Sequence, residues 1–209
     1  MKPLFELSKS EQLFLLVEIA SIPDLAQQLY QLSGEMEQEQ LFLYPPYDEL
    51  VSVSSRLVKA TPEVQHWFLE FNQYQRGYFF SSSGSLSDVA ESLRRLIMAE
   101  IPEGNTGFFR FADSHVAYVL LDAQCAMLWQ PMNRVWLHQA GEWQILENPF
   151  VIPPETHNQI LKITDEQWRR LSLIPWQNSL PDTLVAHIQR WYPERIHLIH
   201  DLRDRVCSR

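Results

Sequence analysis

The fold of this 209-residue chain is decided by residues 77–116, GYFFSSSGSLSDVAESLRRLIMAEIPEGNTGFFRFADSHV. Gly77–Ser82 is short, aromatic and bounded by turn-forming residues, which predicts a buried strand. Ser85 and Asp88 then form an S-x-x-D helix start, in which each side chain accepts a hydrogen bond from a backbone N–H of the first turn. Gly107–Phe111 resumes as an aromatic strand. Because two strands joined by a helix of this length run parallel, the stretch predicts a βαβ unit.

The sequence on either side extends this pattern into an α/β fold. Leu13–Ala20 is a nearly continuous apolar run, which is typical of a central strand in a parallel sheet. Glu49–Lys59 predicts a further strand, and Arg134–Gln139 with Glu142–Leu146 predicts a hairpin around Ala140-Gly141. We therefore expect a mostly parallel sheet built from βαβ units.

The composition changes at Asn148, where a stretch with three prolines begins. Thr164–Gln167 is a capping box that opens a helix, and the apolar spacing after it predicts further short helices. The expected organisation is an α/β domain at residues 1–147 followed by a small helical C-terminal lobe at residues 148–209.

Charge and composition restrict the partners and the location. The formal net charge is −9, which argues against nonspecific nucleic acid or an anionic membrane as the main partner. No stretch approaches the roughly 20 apolar residues that span a bilayer, and the N-terminus is not a secretory signal. Cys125 and Cys207 match no metal spacing and are expected to be free thiols. We expect a soluble cytoplasmic protein with no membrane insertion.

Recognisable catalytic motifs are missing from the sequence. Neither of the two glycine-rich phosphate loops follows a strand. The serine-rich turn Ser81–Ser85 lacks the G-x-S-x-G elbow of a nucleophilic serine and is explained by a turn that feeds a helix cap. His197, His200 and Asp201 share one side of a predicted helix and have the spacing of metal ligands, but two histidines and a carboxylate near a basic C-terminus are more often a solvated face. We expect no catalytic residue, no metal and no cofactor.

Arg110 lies among aromatic residues in a predicted strand, where an arginine must be paired or emerge at an edge. One interpretation is a structural ion pair with Asp113 or Glu18. The other is a polar binding site at the strand ends. Asp113 itself is placed to cap the next helix.

Several segments, in order, resemble one known family. Leu16–Ala20 resembles an opening L-V-D-x-A strand, and Gly77–Ile97 resembles a G-i-f-l-x-S segment followed by an arginine-rich helix. The best-defined motif, F-R-f-y-D-P-r-V, is matched at Phe109, Arg110, Phe111, Asp113 and Val116. Over about residues 13–137 the chain is similar to domain of unknown function 4123, the adaptor chaperones of bacterial type VI secretion. It departs from the motifs at Glu18, which replaces Asp, and at Ser114-His115, which replaces Pro-Arg.

The resemblance implies a protein without enzymatic activity. Such an adaptor binds a cognate toxic effector in the producing cell, keeps it soluble and loads it onto the trimeric spike protein of the secretion tube. Two alternatives remain open from the residues: a small hydrolase with a site around Arg110 and Asp113, or a structural subunit of an assembly.

The last sixty or so residues fall outside the resemblance, as expected for a region that must fit a different cargo in each adaptor. They carry four large aromatic residues that we expect either to contact the effector or to pack the lobe onto the sheet: Trp168, Trp176, Trp191 and Tyr192.

Overall fold

The computed structural model describes residues 3–18, 27–28, 31–32, 37–71, 74–151, 160–172 and 174. Its strands are β1 (Gln12–Val17), β2 (Gln38–Gln40), β3 (Arg56–Lys59), β4 (Gly77–Ser82), β5 (Met98–Glu100), β6 (Thr106–Phe108), β7 (Arg134–Gln139), β8 (Glu142–Glu147) and β9 (Leu161–Lys162). Its main helices are α1 (Pro62–Phe71), α2 (Leu86–Arg94), α3 (Ser114–Asp122), α4 (Ala126–Trp129) and α5 (Asp165–Leu171).

The prediction of a mostly parallel sheet is wrong. The main sheet has six strands in the order β2-β3-β1-β4-β7-β8, and its strand pairs are antiparallel. A smaller sheet has the order β6-β5-β9, in which only the β5–β9 pair is parallel. The fold is an antiparallel sheet with helices packed on it and a small mixed sheet beside it.

The predicted βαβ unit fails because its two strands lie in different sheets. β4 belongs to the main sheet, whereas β6 pairs with β5 in the small one. After α2 the chain enters the short strand β5 and reverses through a 3-10 turn at Pro102–Gly104 into β6. The parallel rule applies only to strands that share a sheet, so it does not govern β4 and β6.

Both faces of the main sheet are covered, which explains why β1 reads as a continuous apolar run although it is antiparallel. Leu13, Leu15 and Val17 face a cluster that contains Phe68 of α1 and Trp136 of β7. The alternate residues of β1 face the larger cluster, which includes side chains of α2 and α3. A strand that is buried on both faces has no polar alternation, whichever way its neighbours run.

Local signals in the sequence are confirmed. Ser85 and Asp88 form a reciprocal capping box at the start of α2, and Thr164 and Gln167 form another at α5. The hairpin of β7 and β8 turns through Ala140-Gly141, both with positive φ. The predicted strand Glu49–Lys59 is shorter in the structure, because residues 48–53 form a 3-10 helix and only β3 is extended.

The described part of the C-terminal region packs on the rest of the chain. β9 extends the small sheet, and Leu161, Ile163 and Leu171 are buried in the larger cluster. The helices predicted beyond residue 180 lie outside the described residues, so the division into domains at residue 147 stays a prediction. In the part of the chain that the structure describes, no helix has both the length and the apolar character needed to cross a membrane.

Candidate functional site

The candidate site is a set of charged side chains at one end of the two central strands, β1 and β4. We call it the Arg110 cluster, and it consists of Glu18, Arg76, Arg110, Asp113 and His115. Glu18 directly follows β1 and Arg76 directly precedes β4, whereas the other three lie between β6 and the first turn of α3. The antiparallel register pairs Val17 with Gly77, so the residues just beyond this pair meet, and Glu18 N donates a 2.8 Å hydrogen bond to Arg76 O.

Gly77 allows β1 and β4 to approach closely at this point. A Cβ atom at Gly77 would overlap the backbone carbonyl oxygen of Leu16 and lie 3.1 Å from the Cα of Val17. Any larger residue would therefore push the strand ends apart. The position of Glu18 beside Arg76 depends on this glycine.

Arg110 and Glu18 form a bidentate ion pair. Arg110 Nε lies 2.8 Å from Glu18 Oε1, and Arg110 Nη2 lies 2.6 Å from Oε2. Arg76 Nη1 adds a longer contact of 3.7 Å to Glu18 Oε2. The side chains of Arg110 and Glu18 are 11% and 9% exposed, so the pair is almost fully removed from water. Of the two interpretations from the sequence, the structure contains the ion pair of Arg110 with Glu18.

Burial alone would lower the pKa of Arg110, because it disfavours the charged form. The hydrogen bonds that Arg110 donates to Glu18, the charge of Glu18 and the charge of Asp113 outweigh burial, and the net effect raises the pKa of Arg110. Arginine is a cation at all physiological pH values, and these neighbours stabilise its charge in a buried position. Because Glu18 follows β1 and Arg110 precedes α3, the bidentate ion pair joins the end of β1 to the segment before α3.

Asp113 is the N-cap of α3, as the sequence predicts. Its Oδ1 accepts hydrogen bonds from the backbone N–H groups of His115 at 2.9 Å and Val116 at 3.3 Å. Its other oxygen lies 4.0 Å from Arg110 Nη2. Asp113 thus joins the end of the helix to the ion pair.

His115 is the partly exposed member of the cluster, and its charge depends on pH. Its Nδ1 lies 3.6 Å from Asp113 Oδ1. The hydrogen bond with Asp113 raises the pKa of His115, and this effect outweighs the opposing effect of burial. The motif described above has arginine at this position, which is always charged. Histidine at the same position is charged only when it is protonated.

The side chains of the Arg110 cluster form an ion pair and a helix cap. The carboxylate of Glu18 is occupied by Arg110, and that of Asp113 by backbone donors. Tyr78 is buried below the cluster and donates to Phe111 O at 3.1 Å, and its burial raises its pKa far above the usual range. These contacts position backbone and side chains.

The serine-rich turn is likewise used by local structure. Ser81 Oγ donates to Glu11 Oε1 at 3.2 Å, Ser82 Oγ accepts from Gly84 N at 3.1 Å, and Ser85 caps α2. Among the residues that the structure describes, no group of three or more His, Cys, Asp or Glu side chains has the arrangement of a metal site. The predicted metal alternative at His197, His200 and Asp201 lies outside those residues.

Of the four aromatic residues expected to contact an effector, only Trp168 is described. It lies on α5, is partly buried and packs against the larger cluster. Trp176, Trp191 and Tyr192 lie outside the described residues. Their role stays a prediction.

Sequence reasoning placed Glu18, Arg110 and Asp113 in one candidate site and missed the other two members of the cluster, Arg76 and His115. The sequence signal for Arg76 is its position directly before a strand that begins with glycine. In the structure that strand start lies opposite the end of β1. Only the antiparallel register shows that the two strand ends meet. A parallel arrangement would have placed Arg76 at the opposite end of the sheet from Glu18.

The fold and the Arg110 cluster define a protein with an antiparallel main sheet and packed helices, in which buried charges connect the strands and cap a helix. Residues 13–130 match the family described as Domain of unknown function (DUF4123). The chain belongs to this family, the type VI secretion adaptor family that its motifs resemble.

A similar protein is the accessory protein VasW of Vibrio cholerae serotype O1, which is 46% identical over 192 residues. The matched region is 92% of this chain and 65% of that protein, so the chain spans just under two thirds of the relative's length. No solved structure matches the chain.

Proposed function

We propose that this protein is a cytoplasmic accessory protein of type VI secretion that holds one toxic effector in the producing cell and brings it to the trimeric spike protein. The observation that carries the proposal is family membership over residues 13–130, together with 46% identity to an accessory protein over nearly the whole chain. In this proposal the protein acts stoichiometrically, without a cofactor, and is not an enzyme.

The geometry of the Arg110 cluster supports a binding protein over the hydrolase alternative. A hydrolase needs a nucleophile or an activated water beside a base. Here both carboxylates near Arg110 accept hydrogen bonds that hold the fold. The same residues are therefore assigned to stability in this proposal.

Effector contact is proposed for the C-terminal region, through Trp176, Trp191 and Tyr192 with Trp168 at its start. Large aromatic side chains at the centre of an interface each contribute about 2 kcal/mol or more, measured by truncation. Trp176→Ala or Trp191→Ala should therefore weaken effector binding about 30-fold with the fold intact. Trp168→Ala is the contrasting variant, because this side chain packs on the core and its loss should lower the melting temperature as well.

The first experiment isolates the natural partners. The tagged full chain is purified from a secreting strain and from a strain that lacks the spike protein, and the co-purifying proteins are identified by mass. The proposal expects one dominant toxin in both preparations. A symmetric assembly of the chain with itself would instead favour a structural subunit.

The second experiment distinguishes binding of the toxin in the producing cell from its delivery to the spike protein. In a strain that lacks this gene, the toxin should be depleted from cells and absent from the medium, and wild-type protein should restore both. Purified spike protein should be captured by the chain together with its toxin more strongly than by the chain alone. Normal secretion of the toxin without this protein would contradict the proposed function.

A further inference from the structure

The outer edge of β8 is a surface that the Arg110 cluster does not use. The turn Ala140-Gly141 has φ values of 51° and 88°, which is the two-residue hairpin geometry that pairs Gln139 with Glu142 by hydrogen bonds. Hydrogen-bonded pairs alternate along antiparallel strands. The backbone N–H and C=O groups of the alternate residues therefore point away from β7, and these are Trp143, Ile145 and Glu147.

The far end of the hairpin agrees with this assignment, since Asn148 N donates to Asn133 O at 2.8 Å and continues the same alternation. Within the described residues, no hydrogen bond reaches the outward groups of β8. The strand therefore offers a row of donors and acceptors for one more strand.

This edge differs from the other sheet edges in the described part of the chain. β2, at the opposite end of the main sheet, has three residues with polar side chains, and the small sheet ends in strands of three and two residues. β8 has six residues and contains neither the proline nor the lysine that commonly protects an edge. An open edge of this length is a template for strand addition.

The side chains beside the edge define the strand that fits it. Ile145 is 54% exposed and lies opposite Trp136 in the register. The ring of Phe5 is 5.4 Å from that of Trp136, and Leu4 and Leu7 on either side of Phe5 are exposed. Ile145 thus gives the centre of the edge an exposed apolar side chain.

The ends of the edge are acidic. Glu142 is exposed at one end, and Glu147 at the other, where it also pairs with Arg134 at 2.9 Å. The whole chain carries a net charge of −9. A second copy of the chain would bring like charge to this edge, whereas a segment with basic residues would be attracted to it.

We propose that β8 is the docking edge for an extended segment of the effector, which adds a seventh strand to the main sheet and carries apolar residues flanked by Lys or Arg. This inference rests on the proposed function, because its occupant is the effector. The backbone hydrogen bonds supply the pairing, and the apolar centre and acidic ends select the sequence.

The test uses the full chain and the toxin identified by co-purification, produced separately. Ile145→Pro removes one outward N–H and leaves the ladder with β7 intact, since proline is tolerated where its N–H side faces solvent. It should weaken toxin binding about tenfold. Ile145→Lys keeps the N–H but places a cation at the apolar centre, and it should weaken binding even if the proline variant does not fold.

Glu142→Lys should weaken binding about threefold at low salt, with the effect vanishing at high salt. Its matched control is Asp48→Lys, the same change of charge at an exposed position outside β8, which should leave affinity within about twofold. Hydrogen exchange gives an independent readout: toxin should slow exchange of the amides of Trp143, Ile145 and Glu147, which exchange fast in the free chain.

The outcomes separate the two proposals. Unchanged affinity in the Ile145→Lys and Glu142→Lys variants, with the three amides still exchanging fast in the complex, would overturn the docking edge and leave the proposed function standing. Protection of these amides by the spike protein or by self-association, and not by toxin, would overturn the effector as the occupant. A wild-type chain that binds no toxin would overturn the proposed function and this inference with it.

Discussion

Replacement of Arg110 by alanine tests whether the Arg110 cluster stabilises the fold or contacts a partner. The variant leaves the Glu18 carboxylate, 9% exposed, without its bidentate partner and with Arg76 at 3.7 Å. Stranding one member of a buried pair costs about 3–5 kcal/mol, and the contact with Arg76 favours the lower end of this range. At about 2–4 °C per kcal/mol for a chain of this size, the melting temperature should fall by about 6–12 °C.

Asp113→Ala is the comparison within the same cluster. It removes a helix cap, which costs about 1 kcal/mol and should lower the melting temperature by about 2–4 °C. Arg110→Ala should therefore lower the free energy of unfolding more than Asp113→Ala does. Urea denaturation and calorimetry measure both changes.

A double-mutant cycle isolates the pair itself. Arg110→Ala leaves Glu18 without Arg110, and Glu18→Ala leaves Arg110 without Glu18, whereas the double variant removes both members of the pair. The changes in the free energy of unfolding should therefore be non-additive by about 1–3 kcal/mol. An Arg110→Ala protein with an unchanged melting temperature and lost effector binding would refute this reasoning and make Arg110 a contact residue.

Three further predictions concern single sites. Gly77→Ala should lower the free energy of unfolding by about 1–3 kcal/mol, because the added methyl meets the backbone of β1. Gly107→Ala is the control, because the space around its Cβ position is open, and it should not lower the free energy of unfolding in this way. Equal stability of the two variants in urea would contradict the close approach of β1 and β4 at Gly77. The raised pKa of His115 means that its interaction with Asp113 stabilises the fold fully below the ordinary pKa of about 6.5 and that this contribution is lost as pH rises through the folded-state value. In an NMR titration, Asp113→Asn, which keeps a good cap, should lower the pKa of His115, and an unchanged value would show that another group raises it. Burial raises the pKa of Cys125, so its alkylation by iodoacetamide near neutral pH should be slower than that of a free thiol, as followed by peptide mass, and an equal rate would show that the thiol is accessible.

Helix starts and the hairpin were predictable because their signals are local. The capping residues at Ser85, Asp113 and Thr164 act within one turn, and Ala140-Gly141 connects strands that are adjacent in sequence. The side-chain chemistry at each of these positions is sufficient to determine the local backbone.

Sheet topology was not predictable in the same way. A strand that is buried on both faces, such as β1, has the same apolar composition in a parallel and an antiparallel sheet. The three-residue strand β5 directly follows the predicted helix and carries no alternation long enough to be recognised, so the chain reversal into the small sheet was missed. The pairing of Glu18 with Arg110 was nevertheless accessible, because a buried cation requires a carboxylate and the family motif supplies one.

The position of β1 in the middle of the main sheet has a consequence for the order in which the chain is made. β1 is synthesised first, but its neighbours β3 and β4 come later in the chain. At typical synthesis rates, the roughly 40 residues between β1 and β3 take about 2–8 s to appear, and the apolar segment Leu13–Val17 has no strand to pair with during that time. A nascent chain of this protein therefore displays a β-prone apolar segment before the strands that pair with it have been made, and this interval is where aggregation competes with folding.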